Sequence, residues 1–174
     1  MTKLFYEVKK KAKIGDALYE FAVSQPRPLG KEHGFNQIPK WRAPDEILQK
    51  DEFLWNLMKK YEATGWVFYY KPWEHYKWHF DEVRTVGLNL ALNDVRHHVF
   101  FDTGDNESFK NDMMRDFVEL KYKPHTYHVL NAGVHHCGYN FEEYRYFFTV
   151  QFPKAIISFD QLVEELMEED LLFD

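Results

Sequence analysis

The sequence predicts a mainly β fold with flanking helices, in which the strands close on themselves and a last helix covers one end. Two observations carry this. From Gly65 onward, short β-branched and aromatic runs alternate with turn residues, whereas helical spacing of apolar residues is confined to the two ends of the chain. Within the β region, two long strands share one pattern. Val86, Leu88, Leu90 and Leu92 alternate with Gly87, Asn89, Ala91 and Asn93, and Tyr146, Phe148, Val150 and Phe152 alternate with Arg145, Phe147, Thr149 and Gln151. In the first strand one face is apolar and the other small or polar. In the second the opposing face mixes polar residues with Phe147. An antiparallel sheet with one face in water gives this pattern, and so does a barrel whose polar side chains line a ligand cavity. We read residues 1–174 as a single domain, with 1–64 as N-terminal support, 65–152 as the β core and 153–174 as a C-terminal helix.

In chain order, Leu4 to Val8 reads as a first strand and Lys9 to Lys13 as a basic turn. Asp16 to Ser24 has the composition of a short helix. Gln25 to Trp41, with three prolines and two glycines, predicts a long surface loop. Pro44, Asp45 and Glu46 open a helix in which Ile47, Phe53, Leu54, Leu57 and Met58 supply an apolar stripe ending near Gly65. Strands are then expected over Trp66–Tyr70, Tyr76–Asp81, Thr85–Asn93 and His97–Phe101, with a turn at 102–105 and a polar insertion with a helical turn at 106–116. Further strands are expected over Phe117–Tyr122, Tyr127–Asn131, Val134–Gly138 and Tyr144–Phe152, about seven or eight in all. Ser158, Phe159, Asp160 and Gln161 start a closing amphipathic helix with Leu162, Leu166 and Leu171.

Composition excludes several function classes. The 174 residues are 45% hydrophobic and 18% aromatic, which provides for a packed core rather than disorder. A net charge of -6 weighs against a nucleic-acid partner. Cys137 is the lone cysteine, so the fold needs no internal disulfide. No apolar run reaches the roughly 20 residues of a membrane span, and Met1 to Lys13 lacks the apolar stretch of a signal peptide. These features set a cytoplasmic protein with no membrane partner as the expectation.

The chemistry centres on Trp78-His79-Phe80-Asp81. On a strand, residues two apart point the same way, about 6.5 Å from each other, so His79 and Asp81 would grip one divalent metal from one side. A surface strand carries the same tripeptide without function. A third ligand would come from His135-His136, of which only one faces inward because neighbours alternate. Two histidines and a carboxylate with the remaining positions open is the set used by non-haem Fe(II) oxygenases. Nine residues after His136 stands Arg145, which would pair bidentately with a carboxylate or form an ordinary ion pair with Glu142 or Glu143.

His79-x-Asp81, Leu88-Asn89-Leu90-Ala91-Leu92-Asn93, His136 and Arg145-Tyr146-Phe147-Phe148-Thr149-Val150 together resemble the Fe(II)/2-oxoglutarate-dependent dioxygenase superfamily, nearest its prolyl-hydroxylase-like branch. The resemblance covers about Gly65 to Phe152. It implies a double-stranded β-helix, the jelly-roll or cupin-like barrel. It further implies iron held by His79, Asp81 and His136, and 2-oxoglutarate clamped by Arg145 through its distal carboxylate. His136 is preferred to His135 because His136-x-Gly138-x-Asn140 follows the family's His-x-Val-x-Asn rhythm. Tyr70 precedes a turn resembling the family's Tyr-x-x-Gly, with Trp73 where glycine would stand. Asn89 and Thr149 would add hydrogen bonds to cosubstrate or metal-bound water, and Ala91 stands where some members carry a tyrosine. The cofactors implied are Fe(II), 2-oxoglutarate and O2, with ascorbate as an optional reductant. The expected activity is hydroxylation of a protein side chain or small molecule, with release of succinate and CO2. The alternatives are a non-catalytic metal- or ligand-binding barrel of the same fold, and a zinc hydrolase using the same three ligands.

Overall fold

The computed structural model describes residues 3–26, 38–102 and 117–173. Ten strands and four helices run in the order β1 (Phe5–Lys11), α1 (Gly15–Ser24), β2 (Lys40–Arg42), α2 (Asp45–Leu48), α3 (Glu52–Lys60), β3 (Thr64–Tyr70), β4 (His75–His79), β5 (Val86–Ala91), β6 (His97–Asp102), β7 (Phe117–Leu120), β8 (Thr126–Asn131), β9 (His136–Asn140), β10 (Arg145–Gln151) and α4 (Phe159–Glu168). The strands form two antiparallel sheets, one of six in the order β1-β8-β5-β10-β3-β2 and one of four in the order β4-β9-β6-β7. This is the double-stranded β-helix.

The alternation of β5 and β10 is resolved by what lies on each face. Leu88, Leu90, Tyr146, Phe148 and Val150 share one buried cluster with Leu18 of α1, Leu54 and Leu57 of α3, and Leu162 and Leu166 of α4. The helices therefore cover the apolar face of the large sheet. The polar face turns toward the small sheet, and Asn89, Thr149, Phe147 and Arg145 line the space between them. A second cluster, with Phe101 and Leu120 from the small sheet and Leu130 from the large one, includes residues from both sheets.

Several elements differ from expectation for identifiable reasons. The helix expected from Pro44 to Gly65 is two helices, because the Asp51 carboxylate starts α3 afresh by accepting from the Leu54 N–H at 3.2 Å. That carboxylate also accepts from the Lys13 N–H and the Tyr127 hydroxyl, both at 3.0 Å, so one buried acid ties three segments together. Lys40 and Trp41, placed in a loop by the density of prolines before them, pair with β3 as strand β2. With β1, this gives the large sheet two strands from the first 64 residues. The polar insertion expected at 106–116 lies outside the described residues, as do most of the turn at 102–105 and of the loop at 25–41. Among the described residues, no helix is long and apolar enough to cross a membrane.

Candidate metal and dicarboxylate site

β4 and β9 are antiparallel neighbours, and their register sets His79 directly opposite His136. Two histidines 57 positions apart in the chain thus reduce to one cross-strand pair, with ring centroids 4.3 Å apart. Each imidazole is oriented by a backbone carbonyl two residues earlier. The Nδ1 of His79 lies 2.8 Å from the Lys77 oxygen, and that of His136 lies 2.8 Å from the Val134 oxygen. A carbonyl only accepts, so both Nδ1 atoms carry the proton and both Nε2 atoms keep a lone pair. Burial lowers the pKa of both rings, that of His136 to about 4, with the neighbouring His79 as a further cause. Both rings are neutral at physiological pH, the form that ligates metal.

Asp81 joins them from just beyond the strand. β4 ends at His79, so the expectation of two ligands on one strand is corrected, because the chain leaves the sheet at Phe80. The Asp81 Oδ1 still lies 3.9 Å from the His79 Nε2. Its other oxygen, Oδ2, accepts from the Arg84 Nε at 2.5 Å. Among the described residues, no three His, Cys, Asp or Glu side chains already stand in metal-holding positions, and the Arg84 ion pair is the competing contact on the carboxylate. His135 points away from its neighbour and packs edge-on to Phe80 at 5.1 Å.

The remaining predicted residues lie on the large sheet. β10 pairs Arg145 with Tyr70 of β3 and Thr149 with Asn89 of β5. The Thr149 hydroxyl donates to the Asn89 Oδ1 at 2.5 Å. Arg145 is only 2% exposed. It makes no ion pair with Glu142 or Glu143. Its guanidinium lies 4.9 Å from the ring centre of Phe147, 5.3 Å from that of Tyr70 and 5.4 Å from that of Tyr122. Its Nε has no hydrogen-bond partner among the described residues. An arginine buried without a counter-ion is expensive, and an anion from outside is the group that would satisfy it.

All seven predicted residues line one cavity of about 190 Å³ between the sheets. At roughly 10–15 Å³ per water, that is room for about a dozen waters, the scale of a small metabolite. Among the described residues, the charged lining consists of Lys40, Arg84 and Arg145 against Asp81, so the cavity favours anions.

Sequence reasoning missed Arg84, Tyr76 and Tyr122, all in the lining. Arg84 had a local signal, a basic residue three positions after the acid. Tyr76 packs edge-on to His79 at 4.2 Å. Tyr122 follows β7 and reaches the cavity only through the pairing of β7 with β6, which nothing in the local sequence announces.

No protein-family model matches the sequence, and no curated protein matches it. Solved structures do resemble it. A prolyl-4-hydroxylase from Pseudomonas putida has a TM-score of 0.54 at 16% identity, covering 83% of this chain and 88% of that one. AviO1 from Streptomyces viridochromogenes has a TM-score of 0.56 at 12% identity over 87% and 90%. HygX from Streptomyces hygroscopicus, solved with nickel and 2-oxoglutarate bound, has a TM-score of 0.52 at 9% identity over 81% and 76%. The likeness is one of fold, and the architecture implied by the His79, Asp81, His136 and Arg145 motifs is the one this chain adopts.

Proposed function

We propose that this chain is an Fe(II)- and 2-oxoglutarate-dependent dioxygenase that hydroxylates a protein side chain or a small molecule, releasing succinate and CO2. The observation that carries the reading is the buried Arg145, without an acidic partner among the described residues, lining the same cavity as the His79–His136 pair and Asp81. The donor set fits a ferrous ion: two neutral imidazoles with Nε2 lone pairs, and one carboxylate beside them. His79, Asp81 and His136 would hold the metal, leaving positions for the cosubstrate's keto-acid end and for O2. When bound, Fe(II) and 2-oxoglutarate supply the oxidising chemistry that converts a substrate C–H to C–OH.

The chain's own part is orientation. The Lys77 and Val134 carbonyls hold the two imidazoles in one tautomer, as hydrogen-bond partners of metal-binding histidines generally do. Arg145 neutralises and fixes the distal carboxylate, and the faces of Tyr70 and Phe147 keep water away from that pair. The nickel and 2-oxoglutarate in HygX support this reading by likeness of fold.

The Arg84–Asp81 ion pair favours the second reading, a barrel that binds a ligand without catalysis. One titration separates the two. Anaerobic addition of 2-oxoglutarate to the Fe(II)-loaded protein is expected to give a weak visible charge-transfer band. Arg145→Met is expected to raise the 2-oxoglutarate concentration needed by tenfold or more. A wild-type protein that takes up Fe(II) yet shows no band would rule out the oxygenase.

A further inference from the structure

A chain of hydrogen bonds crosses the cavity floor, and its direction is fixed by chemistry. It begins at Arg84, which only donates. The Arg84 Nε donates to Asp81, and its Nη1 donates to the Thr149 Oγ1 at 3.2 Å. The Thr149 hydroxyl passes its own hydrogen to the Asn89 Oδ1 at 2.5 Å, and the Asn89 Nδ2 donates to the Tyr122 hydroxyl oxygen at 2.7 Å. The opposite orientation of the Asn89 amide would aim a second N–H at Thr149 and leave the threonine hydrogen without an acceptor in this network. Each group is therefore a donor to the next. At the far end the Tyr122 oxygen is already accepting, so its own hydrogen must be donated onward.

Tyr122 cannot easily turn that hydrogen elsewhere. Its ring is stacked on His97 at 5.3 Å, meets His128 edge-to-face at 5.0 Å and carries the Arg145 guanidinium 5.4 Å from its centre. It lines the cavity together with Arg145. No acceptor for its hydrogen stands among the described residues.

We propose that Tyr122 is a specificity residue for the cosubstrate: its O–H donates to the distal carboxylate of a dicarboxylic 2-oxo acid seated on Arg145. The inference rests on the oxygenase reading given above. The relay makes the phenol a donor, so beside the buried Arg145 charge the subsite favours an anionic acceptor over an apolar end group. It also joins the cosubstrate end of the cavity to Asp81 at the metal end through four side chains. Ala91, at a position where some members of the resembled family carry a tyrosine, has no hydroxyl to supply, and Tyr122 brings one from the segment that follows β7 of the opposite sheet.

The test compares wild type with Tyr122→Phe, which keeps the ring and its three packing contacts. Each protein, loaded with Fe(II) under anaerobic conditions, is titrated with 2-oxoglutarate and separately with 2-oxobutanoate, which has the keto-acid end and no second carboxylate. Tyr122→Phe should weaken 2-oxoglutarate about tenfold or more and leave 2-oxobutanoate within about twofold, as expected for one charge-assisted hydrogen bond. Equal binding of 2-oxoglutarate by the two proteins, or equal weakening of both acids, would overturn the assignment. A wild type that gives no spectral change with either acid would instead overturn the oxygenase reading beneath it. Thr149→Val, close in shape, gives an independent check, because it frees the Asn89 amide to accept from Tyr122. It should also weaken 2-oxoglutarate and spare 2-oxobutanoate, and unchanged 2-oxoglutarate affinity there would overturn the relay.

Discussion

His79 and His136 are held by backbone carbonyls rather than by side chains, and this sets what replacing them should do. Each ring can be cut away without stranding a buried acceptor other than one carbonyl oxygen. His136→Ala should therefore leave the fold intact while removing one of the proposed metal ligands. Binding of Mn(II), followed by the loss of its free-ion electron-resonance signal on uptake, should weaken at least a hundredfold. Undiminished Mn(II) uptake would mean the metal sits elsewhere. The short motif spacing on one side and the family rhythm on the other pointed to these two histidines, and the register of β4 with β9 sets them opposite each other. The ion pair of Asp81 was only hinted at by the spacing, because an arginine three residues away has no obligation to turn back. The isolation of Arg145 was not legible, for the sequence offered Glu142 and Glu143 as neighbours and the strand turned it inward.

At the scale of elements, the helix and strand pattern was readable where a period persisted, and failed where a single side chain overrode it. Asp51 breaks one helix into two, an effect of a buried carboxylate that periodicity cannot register. Strands β1 and β2 took places in the sheet that only long-range pairing decides. Trp73 shows local chemistry writing itself into backbone geometry. It sits at φ 62°, in the left-handed region, in the turn between β3 and β4 where the resemblance places glycine. A side chain there costs about 1–2 kcal/mol relative to glycine, and Trp73 is 66% exposed, with an edge contact to Phe141 at 6.1 Å as its visible return. Trp73→Gly should therefore raise the Tm by a few degrees, whereas Trp73→Ala, which keeps the strain and loses the contact, should lower it. Thermal melts of the two variants and the wild type check this, and a Tm for Trp73→Gly below that of the wild type would show that the indole contact outweighs the strain.

For the whole molecule, the notable quantity is how many histidines are buried in the neutral form. Burial lowers the pKa of His97 to about 3, with Arg145 as a further cause, and that of His128 and His136 to about 4. In the unfolded chain each returns to about 6.5. Between those limits the unfolded state binds more protons than the folded one, so stability rises with pH across that window. It is fully present above about pH 6.5 and is lost progressively as pH falls toward 4. Each such group contributes up to about 1.4 kcal/mol per pH unit. Urea denaturation of the metal-free protein between pH 7.5 and 4.5 should show a plateau and then a decline. His128→Leu should reduce that slope by up to one proton, since among the described residues the ring it removes hydrogen-bonds only the Thr126 carbonyl, and it is buried against Tyr122. Saturating Mn(II) should add stability at pH 7.5, since the proposed site exists in the folded state alone. That increment should shrink below pH 6, where protons compete for the same nitrogens. A stability curve flat down to pH 4.5 would mean that the buried imidazoles take up protons without opening the sheets.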